Sequence, residues 1–242
     1  MAPRTSGKGN PCTLIGMTLV VTPAHNEEGT VGVVVEGVRA LGLPSLVVDD
    51  GSTDSTALVA AAAGATVLTH PVNLGVGAAL RTGFRHATAH GFKRVVQLDA
   101  DLQHPPEEIP LLLEAADRGA DLVVGSRFGT GYDPGARRMA MRLLSTVVSR
   151  RIGVRITDPT SGFKVVTEPL LSEFARSYPA EYLGDTVEAL LQAGAFGASV
   201  VEVAVPMHRR GGGDPTATSH AAAHFARVML AIIAGKPGRR AR

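Results

Sequence analysis

Five short runs rich in Val and Leu recur through the first half of the chain, each followed by a longer stretch with helical spacing. The runs are "TLVVT" (18–22), "SLVVD" (45–49), "ATVLTH" (65–70), "RVVQLD" (94–99) and "DLVVGS" (121–126). Between them lie "EEGTVGVVVEGVRALG", "DSTALVAAAAG", "GVGAALRTGFRHATAHG" and "PEEIPLLLEAADRG", each closing on a glycine as helix ends do. Such alternation predicts parallel βαβ units, and nearly continuous apolar strands fit a sheet covered on both faces. The fold class is therefore α/β with a mostly parallel sheet. Ligands of such sheets sit beyond the carboxyl ends of the strands. That is where the polar motifs "PAHNE", "DDGSTD", "HPVNLGVG" and "DADLQH" fall.

At 242 residues the chain has room for one sizeable core with an appendage. Hydrophobic residues at 45% against 19% charged describe a globular chain. Aromatics make up 4% with no Trp, so stacking platforms are largely missing, and a net charge of +2, unevenly spread, is too small to argue for a polyanion partner. No nucleic-acid partner is expected. The single cysteine, Cys12, forms no internal disulfide and fits a reducing, cytoplasmic setting. Arg4 and Lys8 precede "TLIGMTLVV", but Gly16 interrupts it and no small-residue cleavage site follows. Residues 1–16 read as a flexible head, 17–213 as the main domain, and 214–242 as an apolar helix with a basic tail. No apolar run reaches spanning length. The helix patterns "ARRMAMRLLSTVVSRR" and "FARVMLAIIAG" with "KPGRRAR" are open to a peripheral seat on the cytoplasmic face of a membrane or to core packing, and the apolar C-terminal helix also to a homodimer interface.

Each motif admits a structural and a chemical role. In "DDGSTDST" a tight turn at Gly51 and a helix cap from Ser52, Thr53 or Asp54 is one; acceptance of ribose or base hydrogens by Asp49 and Asp50 is the other. In "NLGVGAALRTG", Gly75 and Gly77 open a helix with Arg81 one turn on. That is a place for a diphosphate against backbone N–H groups, or simply a tight turn. Leu80 stands where the dinucleotide fingerprint needs Gly, which argues against hydride transfer. In "DADLQHPPEE", Asp99, Asp101 and Gln103 would lie ~6.6 Å apart along a straight strand. To share an ion the chain must curl after Leu98, and the oxygens would then suit Mg²⁺ or Mn²⁺. The alternative is an acidic turn leading into a helix. The pairs His86/His90 and His220/His224 lack further ligands at metal-site spacing and read as solvated helix faces. Arg127 in "GSRF", and Arg209 and Arg210 in "PMHRRGGG", are phosphate-competent side chains beside loops.

Taken in order, "PAHNE … DDGSTD … NLGVGAALRTG … DADLQHPPE … GSRF … DPTSGFK … GDTVEALL … EVAVPMHRRGGG" resembles the family 2 glycosyltransferases of GT-A fold, in particular the dolichyl- or polyprenyl-phosphate sugar synthases, over roughly residues 18 to 213. The resemblance implies inverting transfer of a sugar from a nucleoside-diphosphate donor of the GDP-mannose or UDP-glucose type. On this likeness Pro23, His25, Asn26, Glu27, Asp49, Asp50, Ser52, Asn73, Gly75, Gly77 and Arg81 would hold the donor. Asp99, Asp101 and Gln103 would bind Mg²⁺ or Mn²⁺. Arg127 and Arg210 would face phosphates, Ser126, Arg142 and Ser145 would meet an acceptor phosphate, and Asp185 would serve as base for a hydroxyl acceptor. The acceptor implied is a polyprenyl phosphate, or else a cell-envelope glycan. His25 stands where the family often has Tyr, and Lys164 where it often has Arg. A nucleotidyltransferase and a non-catalytic nucleotide-sugar binding module are the readings from other classes.

Overall fold

The computed structural model describes residues 17–126, 136–179 and 185–206. The five apolar runs form β1 (Thr18–Ala24), β2 (Ser45–Asp49), β3 (Thr66–Thr69), β4 (Arg94–Gln97) and β5 (Leu122–Ser126). The intervening patterns form α1 (Val31–Ala40), α2 (Thr56–Ala62), α3 (Val76–Ala89) and α4 (Ile109–Asp117). The glycines that close these patterns, Gly42, Gly64, Gly91 and Gly119, all take positive φ, as helix-stopping residues do. Beyond β5 come α5 (Ala136–Ile152), β6 (Lys164–Thr167), α6 (Leu170–Ser177), α7 (Asp185–Phe196) and β7 (Val200–Ala204).

The strands form one seven-stranded sheet in the order β3-β2-β1-β4-β6-β5-β7. All neighbours pair in parallel except β6, which runs antiparallel to both β4 and β5. The alternation in sequence gives parallel units alone, so β6 and the short α6 are additions to it. The reversal has a consequence for the site. Residues 157–163, which lead into β6, arrive at the same edge where the parallel strands end.

Adjacent residues of one strand serve opposite cores. Val21 belongs to the core cluster that also holds residues of α3, α5, α6 and α7, while Val20 belongs to the one with residues of α1 and α4. Helix α2 joins the second face through Ala60, and Ala63 just past its end packs there too. The sheet is therefore buried on both sides, which is why its strands read as unbroken Val/Leu runs. The chain fills β1, β2 and β3 outward, then returns to the other flank of β1 as β4. That reversal is a topological switch point, where the loops leaving two neighbouring strands diverge and open a crevice. Val21 pairs with Gln97, so the segments after β1 and β4 emerge side by side. No helix among the described residues is long and apolar enough to cross a membrane.

Candidate active site

The crevice is built first by two loops that lace together. After β1, Asn26 takes φ 55°, a conformation Asn tolerates better than most residues. Its backbone N–H donates to Ser52 Oγ at 2.9 Å, and its side-chain Oδ1 accepts from Thr53 N–H at 2.9 Å. Glu27 N–H donates to Thr56 Oγ1, Glu28 N–H to Asp54 Oδ2, and Ser55 N–H back to Glu28 Oε2. Asp54 Oδ1 caps α2 by accepting from Thr56 N–H at 2.9 Å. Burial raises the Asp54 carboxyl, but the donors from Thr56 and Glu28 prevail and hold it below the ordinary carboxylate value. His25 donates Nδ1–H to the Asp50 carbonyl at 3.0 Å and leaves its ring exposed at the crevice mouth.

The loop after β3 is drawn in by Asp50. Its Oδ1 accepts from His70 Nδ1 at 2.7 Å and from Leu74 N–H at 3.0 Å; its Oδ2 accepts from Gly75 N–H at 2.7 Å. Sequence reasoning puts Asp50 among the groups that hold a nucleoside. In the structure its carboxylate engages the fold's own donors, and it shapes the site by fixing residues 73–75. Asp49 is equally buried and accepts from Ser52 N–H at 3.2 Å. Gly51 has φ 70°, and a Cβ there would lie 2.5 Å from the Val72 carbonyl carbon, so only glycine lets these loops meet. Asn73 Oδ1 also receives Gly75 N–H, at 3.0 Å. The first amides of a helix have no partner within it. Ala78 and Ala79 reach back to Gly75 O, whereas Val76 and Gly77 have no helical carbonyl to reach. Arg81, half-buried, stands one turn further on.

The chain bends after β4. Leu98 N–H still bonds Val21 O at 3.1 Å, and Leu102 then takes φ 63°. Gln103 meets Asp101 through its backbone N–H, at 3.0 Å from Oδ1. Two further residues shape this bend that sequence reasoning does not single out. His104 is buried, stacks on Phe163 with centroids 5.3 Å apart, and brings Nδ1 to 3.4 Å from Asp99 Oδ2. Gly162 lies beneath Asp99: a Cβ there would be 2.3 Å from Oδ2. The glycine in "SGF" is the sequence signal for that close approach. Among the described residues no group of three His, Cys, Asp or Glu side chains is placed to hold a metal. Mg²⁺ and Mn²⁺ ask for less, namely one or two carboxylates completed by waters and substrate phosphates. Asp101 and Asp99, the latter with 32% of its side chain exposed, are hard oxygen donors of that kind, and the donor set fits.

On the far side, Ser126 ends β5 with Oγ 3.0 Å from Thr157 Oγ1. Ser145 Oγ donates to Ile156 O at 2.5 Å, so both serines grip the segment 156–157. The Glu202 carboxylate holds the same segment, accepting from the N–H groups of Thr157 and Asp158. Arg142 is exposed on α5. Asp185 opens α7; its side chain, Arg127, Arg209 and Arg210, and the C-terminal helix with its basic tail lie outside the described residues. So do the head, 1–16, and His220/His224. The rings of His86 and His90 stack at 3.9 Å, and His90 Nδ1–H donates to His86 O. Burial, and then the His90 charge, lower the His86 pKa.

A family model described as glycosyl transferase family 2 matches residues 19–174, from β1 into α6. The chain belongs to glycosyl transferase family 2. The match takes in every loop of the crevice described above up to the "SGF" turn. Among relatives of the family 2 chain, a polyprenol monophosphomannose synthase of Mycolicibacterium smegmatis is 34% identical over 64% of this chain and 63% of its own length. An undecaprenyl-phosphate 4-deoxy-4-formamido-L-arabinose transferase of Pectobacterium atrosepticum is 35% identical over 57% of this chain and 45% of its own. The alignments thus span less than two thirds of these relatives. A solved structure of Mycobacterium tuberculosis glucosyl-3-phosphoglycerate synthase, in complex with Mn²⁺ and UDP-glucose, superposes with a TM-score of 0.66 at 25% identity. It covers 92% of this chain and 82% of that one, and the shared architecture is the GT-A fold.

Proposed function

We propose that this glycosyltransferase moves a sugar, with inversion, from a nucleoside-diphosphate donor to a polyprenyl phosphate, in a reaction that depends on Mg²⁺ or Mn²⁺. One observation carries the reading: the loops after β1, β2 and β4 converge at the switch point, with Asp99 and Asp101 at the bend and the start of α3 nearby. The names of the two relatives, both acting on polyprenyl phosphates, support the acceptor class. The Mn²⁺–UDP-glucose complex of the structural neighbour supports the donor class.

In this reading the nucleoside rests against His25, Asn26 and the 49–53 turn, and the diphosphate lies at the amides of Val76 and Gly77 near Arg81. The anomeric C–O bond to the diphosphate breaks as an acceptor oxygen bonds to the anomeric carbon from the opposite face, releasing the nucleoside diphosphate. Asp99 and Asp101 would hold the divalent ion, which when bound supplies counter-charge for the departing diphosphate. The N–H groups of α3 and Arg210 add to that electrostatic support. A lipid phosphate is already an anion, so Arg127 and Arg142 need only position it, and no base is called for. Asp185 becomes necessary only for a hydroxyl acceptor. Peripheral membrane contact belongs to the same proposal: Met139 and Leu143 are exposed on α5 beside Arg142.

Incubation with radiolabelled GDP-mannose or UDP-glucose, Mn²⁺ and a short polyprenyl phosphate tests this directly. Label should enter the organic phase, and EDTA should abolish the transfer. Transfer undiminished by EDTA, or label appearing only on a glycan hydroxyl and lost with Asp185→Asn, would overturn it.

A further inference from the structure

We propose that His70 is a positioning residue for the donor diphosphate. The inference rests on the reading that the diphosphate lies at the start of α3. The motif "HPVNLGVG" opens on this histidine but gives it no role. It follows β3, its backbone N–H bonds Asp49 O at 2.8 Å, and its ring is mostly buried. The ring spans two elements. Nδ1 is 2.7 Å from Asp50 Oδ1 at the end of β2, and Nε2 is 2.9 Å from Thr82 Oγ1 on α3. A carboxylate only accepts, so Nδ1 carries the proton. In the neutral ring Nε2 is then the acceptor, and Thr82 donates its hydroxyl hydrogen to it.

The carboxylate at one end of this bridge is the one that holds Leu74 and Gly75, the residues immediately before the helix. Asp50 therefore fixes the loop, and His70 fixes Asp50 relative to the body of α3. At the same time α3 is seated hard on the sheet, since a Cβ at Gly83 would come within 2.3 Å of Val21. With the helix packed closely on the sheet and the loop tied to it through an imidazole, the amides of Val76 and Gly77 are held in register with the end of β2. Without the ring, Asp50 keeps two backbone donors but loses its link to α3, and the entry to the helix can shift. Hydrogen-bonded partners behind a binding group commonly contribute about tenfold in affinity.

The test compares a nucleoside monophosphate with the corresponding diphosphate (UMP with UDP, GMP with GDP) in the presence of Mn²⁺, by titration calorimetry. The ratio of their dissociation constants isolates the grip on the second phosphate. His70→Ala should reduce that ratio about tenfold while monophosphate affinity stays within twofold. His70→Asn, which keeps a donor near the Nδ1 position, should recover most of it. Thr82→Val preserves side-chain volume and should reduce the ratio about threefold, so the inference stays testable even if His70→Ala does not fold. A ratio unchanged in His70→Asn and Thr82→Val together with His70→Ala overturns the proposal. So does a parallel loss of both affinities, which marks a general loss of structure. Arg81→Ala separates the two levels. If it lowers the ratio while no His70 or Thr82 variant does, His70 alone is misassigned. If it also leaves the ratio unchanged, or if neither UDP nor GDP binds, the diphosphate does not lie at α3, and the inference falls with that reading.

Discussion

At the scale of single residues, the crevice depends on atoms that are missing as much as on those present. Gly162 is the clearest case, because Asp99 occupies the space a Cβ would need. Gly162→Ala should push the carboxylate aside at an overpacking cost of about 1–3 kcal/mol. It should weaken Mn²⁺-dependent UDP or GDP binding about tenfold or more, read by calorimetry, with the folded state retained in a thermal melt. Unaltered Mn²⁺ dependence would show that Asp99 is not held where the site needs it. Residue roles were unevenly legible. Asp49, Asp99 and Asp101 announce themselves as carboxylates where strands meet loops. The task of Asp50 depends on His70, twenty residues away, and on backbone amides beyond it, a relation no local pattern expresses. His104 and its stack on Phe163 were hidden for the same reason.

At the scale of elements, the laced loops after β1 and β2 act as one unit, and Asp54 is its fastener, capping α2 while holding Glu28. Asp54→Ala should lower stability by about 1 kcal/mol near neutral pH. A carboxyl whose folded pKa is depressed contributes fully above its unfolded value, about 3.9, and loses that contribution as pH falls through the folded value. The gap in urea midpoint between wild type and variant should therefore be full at pH 7 and narrow below about pH 4. A gap constant down to pH 3 would contradict the assignment. The parallel strands and their helices were readable because burial on both faces writes unbroken Val/Leu runs, and glycine marks each helix end. Strand β6 was not readable: "KVVT" is brief, and nothing in four residues states which way a strand runs. Helix α6 left a fainter trace, in Leu170, Leu171, Phe174 and Ala175 on one face.

At the scale of the whole molecule, the strand order decides where chemistry can occur, and the reversed β6 brings a fourth wall, residues 157–163, to the same edge. The alternation predicted a sheet with ligands beyond its strand ends, but not the position of the switch between β1 and β4, which is a property of topology alone. The central claim is that the bend after β4 holds a divalent cation that works together with the bound diphosphate. Calorimetric titration of UDP and GDP into wild type and Asp101→Ala, each with Mn²⁺ and with EDTA, tests it most directly. The account predicts that Mn²⁺ tightens binding of one nucleotide at least tenfold in the wild type and has no effect in the variant. Equal affinity with Mn²⁺ and with EDTA in the wild type, or full Mn²⁺ enhancement in Asp101→Ala, would contradict it.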